Sequence, residues 1–503
     1  MISCLLTSCF QGIEAVPVQV QVQVVPGLPT LLIVGLPGQA VKESKDRIRS
    51  ALYSLGIGIP AKRITMNLSP ADMVKEGNHY DLPLVIGLLM ALDILPQDIH
   101  PLALGELGLD ASIQPVQGVL SAGVLAHKLH KTLICPGSCG AEARWAGDVE
   151  ILAPFHLLEI INHFKGTHAL SMPTAQAEEW VPFQKDFSDV HGQEAAKLAL
   201  CIAASGGHNV LMSGPPGTGK SMLAERMLSL MGPLSPLESL QATMIQSLAR
   251  RPGSTSQAPI KLMRNRPFRS PHHSTSVAAL VGGGLKGSPG EISMAHGGIL
   301  FLDELPEFSR SALESLRQSL ETRQAVVARA NYRAVYPANY QLIAAMNPCK
   351  CGYLGKKGKE CTKAPACGAL YLQNLSGPLM DRIDLFVEVP DISFHNMTKK
   401  EGSESASYRK KVEKAIAMQE QRYQEVDCYR NARAPSWMLD QELEHQPEIK
   451  SFLSKAAEKF DLSVRGYYRT LQVARTIADL EQTEILSKDH ISCALSYRPW
   501  KYV

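Results

Sequence analysis

The sequence has little charge imbalance. Its 51 basic and 48 acidic side chains leave a net charge of +3, too mild by itself to mark a polyanion as partner. It has no long apolar run either. The longest, Leu82 to Leu92, is too short to span a bilayer, so no membrane insertion is expected. The opening Met1-Ile2-Ser3-Cys4-Leu5 has no charged segment ahead of an apolar core, which argues against a signal peptide. Eleven cysteines without such a signal point to a reducing compartment, hence a cytoplasmic location and mostly free thiols. No internal repeat or long low-complexity segment occurs. With 45% apolar and 20% charged residues in 503, an ordinary globular chain of two to four domains is expected.

Two further absences are local. No acidic residue lies between Glu238 and Glu291, where Arg250, Arg251, Lys261, Arg264, Arg266, Arg269 and Lys286 fall. None lies between Glu321 and Glu360, against Arg323, Arg329, Arg333, Lys350, Lys356, Lys357 and Lys359. Such blocks suit contacts to a phosphate backbone, or else a solvated basic face or sites for a nucleotide.

What is present is sharper. Gly214-Pro215-Pro216-Gly217-Thr218-Gly219-Lys220-Ser221 fits G-x-x-x-x-G-K-[ST] at every position. In such a loop backbone amides wrap phosphate oxygens, the lysine reaches the β/γ phosphates and the Ser221 hydroxyl suits Mg²⁺. An apolar run, Asn209 to Ser213, precedes it and a helical pattern from Met222 follows, the setting that anion binding requires. Further on, Ile299-Leu300-Phe301-Leu302 reads as a buried strand ending in Asp303-Glu304. Asp303 would hold Mg²⁺ and Glu304 would polarise the attacking water. By itself an Asp-Glu pair there is equally a helix cap; after a P-loop the catalytic reading is preferred.

The organisation expected is α/β: a P-loop nucleotide module with a C-terminal helical lid, preceded by an α+β domain. The front domain spans 1–165, with an alternating strand at Val16–Val24 and a buried helix at Leu82–Leu92. A linker follows at 166–185, then the ATPase module at 186–395 and the lid at 396–503.

The front domain resembles the proteolytic domain of Lon proteases, through Pro70 to Gly77 and through Gly105-Glu106-Leu107 and Pro115 to Gly118. At Asn78-His79-Tyr80-Asp81 there is no serine, and near Ala122 no amine. A Ser-Lys dyad needs both partners, so a scaffold or interaction role is expected. His79 and Asp81 are read as structural polar groups rather than an acid/base pair.

As a whole the chain resembles the magnesium-chelatase-like branch of AAA+ ATPases, and within it the ComM (YifB) family. The resemblance rests on Asp189-Val190-His191-Gly192-Gln193-Glu194, Phe268 to His273, Pro289 to Gly298, Ala344 to Cys349 and Ser376 to Leu385. It implies ATP and Mg²⁺ as cofactors, with Val190 and Gly192 beside the adenine. It also implies Asn347 as the sensor that positions water and Arg382 as an arginine finger acting on a neighbour. Arg465 would be the lid's sensor 2, with Arg469 as competitor. A finger acting in trans implies a homo-oligomeric ring, expected to be hexameric.

A β-hairpin is expected from Ala325 to Arg333, its tip near Ala330 and Asn331. Arg329, Tyr332 and Arg333 would meet single-stranded or branched DNA, or Tyr332 would simply pack on its neighbour. His272 and His273 are expected to diverge from a strand and so not to share a metal. Cys349, Cys351, Cys361 and Cys367 offer four thiolates for Zn²⁺, or remain free thiols. The resemblance points to an ATP-dependent DNA helicase or translocase that promotes branch migration during natural transformation. The rival is a chelatase-like motor that remodels a protein partner.

Overall fold

The computed structural model describes residues 2–175, 177–249, 260–284, 287–329, 332–354, 362, 364, 366–391, 403–426 and 428–498. In the front region the strands are β1 (Ile2–Gln11), β2 (Glu14–Val25), β3 (Thr30–Val34), β4 (Arg63–Ser69), β5 (Leu102–Ala103), β6 (Leu133–Ile134) and β7 (Ile151–Leu152). They form one mixed sheet in the order β3-β4-β2-β1-β5-β6-β7. Alternation in β2 sends Val18, Val20 and Val22 into the core and turns Gln19 and Gln23 outward, as a half-buried strand requires. Helix α1 (Gln39–Ser54) flanks helix α2 (Asp81–Ala91), in which every residue is buried. Gly87 lets α2 lie close on the sheet: a Cβ there would come within 2.8 Å of Val22.

The second sheet is built from β8 (Val210–Ser213), β9 (Phe268–Arg269), β10 (Ile299–Leu302), β13 (Gln341–Met346) and β14 (Leu385–Glu388). Its order is β9-β10-β13-β8-β14, and every pairing is parallel. All residues of β10 and β13 are buried, which is why β10, and β13 after Gln341, read as apolar runs rather than alternations. Outside this sheet β11 (Gln324–Arg329) and β12 (Tyr332–Pro337) form the expected antiparallel hairpin, with Arg329 opposite Tyr332. The turn joining β1 to β2 lies against the hairpin's base. Gly12, at φ +68°, sits so close to the Val335 carbonyl that no side chain fits.

The C-terminal part is helical: α5 (Glu404–Arg422), α6 (Ser436–Glu444), α7 (Pro447–Lys459), α8 (Val464–Leu480) and α9 (Lys488–Ser496). Its core is continuous with that of the parallel sheet. Asp186 pins the two together. Its carboxylate accepts the Ser188 amide at 2.8 Å, the Glu404 amide at 3.1 Å and the Ser403 hydroxyl at 2.5 Å, capping two helical starts at once. Burial works to raise the Asp186 pKa, but these hydrogen bonds outweigh it and hold it at about 2.

A group whose pKa is depressed on folding stabilises above its unfolded value and loses that contribution as pH falls through the folded one. Asp186→Ala is therefore expected to cost about 1–2 kcal/mol at pH 7. The difference from wild type in urea midpoint should close between about pH 4 and pH 2; a difference independent of pH would contradict this account.

Among the described residues no helix is long and apolar enough to cross a membrane. The described cysteines are all free, as expected.

Candidate active site

The loop after β8 has the shape that its glycines predict. Gly214 lies directly against the Val389 carbonyl beyond β14, with no room for a side chain. Gly217 (φ +82°) and Gly219 (φ +87°) adopt left-handed conformations open only to glycine, and a Cβ on either would meet nothing within 4 Å. That open concavity of backbone fits a polyphosphate. Lys220 begins helix α4 (Lys220–Arg226), and its ammonium turns back onto the loop. It donates to the Gly214 and Pro215 carbonyls, each at 2.8 Å, and to Asn347 Oδ1 at 3.3 Å. Burial pulls its pKa down, while Asp303 and Glu304 oppose that fall. The Thr218 hydroxyl closes the loop on the Pro215 carbonyl at 3.0 Å.

Asp303 and Glu304 follow β10, two strands away in the sheet. The Ser221 hydroxyl donates to Asp303 Oδ2 at 2.9 Å, so hydroxyl and carboxylate meet where a shared Mg²⁺ would sit. Glu304 is exposed and left-handed at φ +52°, a strained conformation for a side chain of this kind. Asp303 Oδ1 accepts its amide at 2.9 Å, and its carboxylate lies 3.2 Å from His273 Nδ1. The structure thus brings together Lys220, Ser221, Asp303, Glu304 and Asn347 from three strand ends.

The segment at Val190 and Gly192 closes the site from the side. Asp189 pairs with Arg226 of the P-loop helix at 2.9 Å. Gln193 donates to the Pro390 carbonyl at 2.7 Å, one residue beyond the carbonyl that Gly214 touches. Val190 is buried and Gly192 has φ +60°.

Arg382 and Arg465 are not at this site. Asn209, just before β8, donates from Nδ2 to the Arg382 carbonyl at 3.0 Å, and its amide donates to Asp384 Oδ2 at 2.8 Å. Because β8 and β14 run parallel, Arg382 enters at the end where strands begin, while the P-loop leaves where they finish. The four residues of β8 place roughly 13 Å of strand between them.

Around Arg382 a cleft of about 1930 Å³ also gathers Arg465, Arg469, Arg433, Glu321 and Asp384. Arg382 is buried, contacts Glu321 and the Pro378 carbonyl, and leaves its Nε unpaired. Burial, then repulsion from Arg465, Arg317 and Arg469, lowers its pKa to about 10. Arg465 reaches the same Glu321 oxygen at 3.2 Å. Arg469 pairs with buried Asp384.

Other expectations fare differently. His272 and His273 do not diverge: they lie in a turn with ring centroids 4.0 Å apart, because the segment leaves β9 before reaching them. Cys349 and Cys351 approach to 3.0 Å between sulfurs, yet no group of three or more metal-ligating side chains forms among the described residues, so zinc gains no support. The loop carrying them leans on the P-loop, since a Cβ at Gly352 would lie 2.6 Å from Pro216.

Asp81 is fully buried and held by Arg47 at 2.6 and 2.9 Å. His79 Nε2 lies 2.9 Å from the Ser8 carbonyl, and burial lowers its pKa to about 4. Both are buried with polar partners inside the front region. Ala122 is buried in helix α3 (Val119–Lys128). Of the expected DNA-facing residues, Arg333 is exposed. Cys361, the hairpin tip at Ala330 and Asn331, and Arg250, Arg251, Lys286, Lys356, Lys357 and Lys359 lie outside the described residues, as do the side chains of Arg329 and Tyr332. Sequence reasoning missed Glu321 as a partner of the two arginines. Its one signal was its place as the last acid before the second acid-free stretch.

A parallel sheet in this order, with a glycine cradle after one strand and an Asp-Glu pair two strands away, defines a P-loop AAA+ module. Sequence profiles described as "Magnesium chelatase, subunit ChlI", "Subunit ChlI of Mg-chelatase" and "Magnesium chelatase, subunit ChlI C-terminal" match residues 186–397, 20–138 and 402–498. The chain is 40% identical to the uncharacterized protein YifB of Escherichia coli, over 99% of this chain and 97% of the relative. It is also 40% identical to the competence protein ComM of Haemophilus influenzae, over 97% and 95%. It belongs to the ComM/YifB family of magnesium-chelatase-like AAA+ proteins. A more distant relative, the magnesium-chelatase 67 kDa subunit of Heliobacterium mobile, is 26% identical over 41% of this chain and 34% of its own length.

Proposed function

We propose that this protein is an ATP-driven DNA translocase that works as a ring, promoting branch migration on recombining DNA during natural transformation. The observation that carries this reading is a mechanical connection. Asp303 and Glu304 lead through Ser309, which caps the helix Arg310–Thr322, and that helix runs straight into the hairpin bearing exposed Arg333. A nucleotide-dependent shift at the Asp-Glu pair thereby has one rigid element linking it to a basic hairpin.

In this reading the amides of Gly217 to Ser221 and the Lys220 ammonium hold the phosphates, exchanging the carbonyl bonds that Lys220 now makes. Ser221 and Asp303 would hold Mg²⁺, which supplies charge neutralisation to the phosphates. Glu304 orients and deprotonates water, and Asn347 fixes that water's position. Arg382 cannot reach its own P-loop from the other end of the sheet, so it serves a neighbour's γ phosphate. Arg465, half exposed, is the better second cation, since Arg469 is tied to buried Asp384. Each seam is then made by two copies, and a ring of six is the arrangement favoured.

The distant similarity to a magnesium-chelatase subunit supports a second reading, a motor acting on a protein partner. Single-stranded DNA separates the two. The translocase reading expects DNA-stimulated ATP hydrolysis and displacement of a strand from a forked substrate. Arg333→Glu should weaken DNA binding and flatten the slope of log affinity against log salt by about one. ATPase activity indifferent to DNA would favour the chelatase-like reading.

A further inference from the structure

Glu321 is the next-to-last residue of the helix Arg310–Thr322. An acidic side chain there faces the negative end of the helix dipole, so the helix itself gains nothing from it. What it does instead is hold two arginines from distant parts of the chain. One oxygen, Oε1, receives both Arg382 Nη2 and Arg465 Nη2. That is a poor match: two guanidiniums share a single carboxylate oxygen, and the buried Nε of Arg382 finds no acceptor. Guanidinium forks prefer bidentate anions, and a phosphate group offers more oxygens than a carboxylate. Arg382 is 3% exposed on its side chain, whereas Glu321 is 48% exposed. The arginine is thus folded inward and its partner can leave for solvent.

We propose that Glu321 is a displaceable counter-anion: it holds Arg382 and Arg465 in the unassembled protein and yields them to the phosphates of a neighbouring subunit's nucleotide. This rests on the reading that the two arginines act across the seam. Glu321 is a positioning residue and touches no substrate. It lies three residues before the first residue of the hairpin, Gln324, with Arg323 between them in a left-handed turn at φ +54°. Release of Glu321 therefore loosens the root of the DNA-facing hairpin in the same event that completes the seam.

The test compares full-length wild type with Glu321→Gln, which keeps the side chain's shape, and Glu321→Asp, which keeps its charge. Sedimentation gives the ATP concentration at half-maximal ring assembly, and steady-state assays give hydrolysis with and without single-stranded DNA. Glu321→Gln should assemble at about tenfold lower ATP, equivalent to about 1.4 kcal/mol. Its DNA-independent turnover should rise several-fold, so that stimulation by DNA shrinks; Glu321→Asp should stay near wild type. A merely structural Glu321 gives the opposite sign, an unchanged or higher threshold with lower turnover, and that result overturns the proposal. Should Glu321→Gln not fold, hydrogen exchange in the wild-type chain decides. Amides of 318–326 should exchange faster when a non-hydrolysable ATP analogue assembles the ring, and unchanged or slower exchange overturns the proposal. Arg382→Ala, measured beside these, separates the two ideas. If it hydrolyses ATP normally, the reading of the seam fails; if it is inactive while Glu321→Gln matches wild type, only the counter-anion fails.

Discussion

Arg382→Ala and Lys220→Ala, each nearly inactive alone, are expected to restore ATP hydrolysis to each other when mixed. The reason is geometric. Lys220 sits where β8 ends, Arg382 where β14 begins, and the strands are parallel, so one subunit cannot bring the two groups to one phosphate. In the proposed ring, a productive seam needs an intact P-loop from one copy and an intact arginine from the next. In an equal mixture about one seam in four combines an Arg382→Ala subunit's P-loop with a Lys220→Ala subunit's arginine. Regained activity should therefore approach about a quarter of wild type, provided that seams fire independently. Arg382→Ala alone should lower kcat by about 10³–10⁵, the range for arginine fingers in nucleotide hydrolases, while nucleotide affinity changes little. A mixture that stays as inactive as its components would show that both groups serve the same subunit's nucleotide, or that Arg382 has no catalytic part.

The second large effect is expected at Glu304. Its carboxylate extends, exposed, from a strained left-handed residue and lies 3.2 Å from His273 Nδ1. Glu304→Gln keeps the size and hydrogen-bonding capacity but removes the base. Turnover should fall by about 10²–10⁴ with ATP still bound, because the phosphate ligands and the Ser221–Asp303 pair are untouched. Asp303→Asn should behave differently, raising the Mg²⁺ concentration needed for binding as well as lowering turnover. Single-turnover hydrolysis and equilibrium nucleotide binding, measured on both variants, distinguish these outcomes. Equal losses of binding in the two would mean that Glu304 holds nucleotide rather than activating water.

Much of this site is legible in the sequence. The P-loop is readable because its glycines are dictated by local backbone: φ near +80° at Gly217 and Gly219 admits little else. Asp303-Glu304 and Asn347 are readable at strand ends because buried parallel strands appear as short apolar runs that stop abruptly. The His272-His273 pair departs from expectation for a related reason. Strand alternation does not reach it, because β9 ends at Arg269 and nothing local marks where so short a strand stops. Glu321 was invisible as a partner because its arginines lie 61 and 144 residues away in the chain.

The amino-acid order by itself determined the phosphate cradle, the carboxylate pair and the strand patterning. Each of these is a matter of neighbouring residues: backbone conformation, side-chain period and residue identity act over a few positions. Only the tertiary structure decided that Arg382 and Arg465 gather at the far end of the sheet from their own P-loop, around one shared carboxylate. Sheet order and strand direction set that separation, and both arise from packing between segments far apart in the chain.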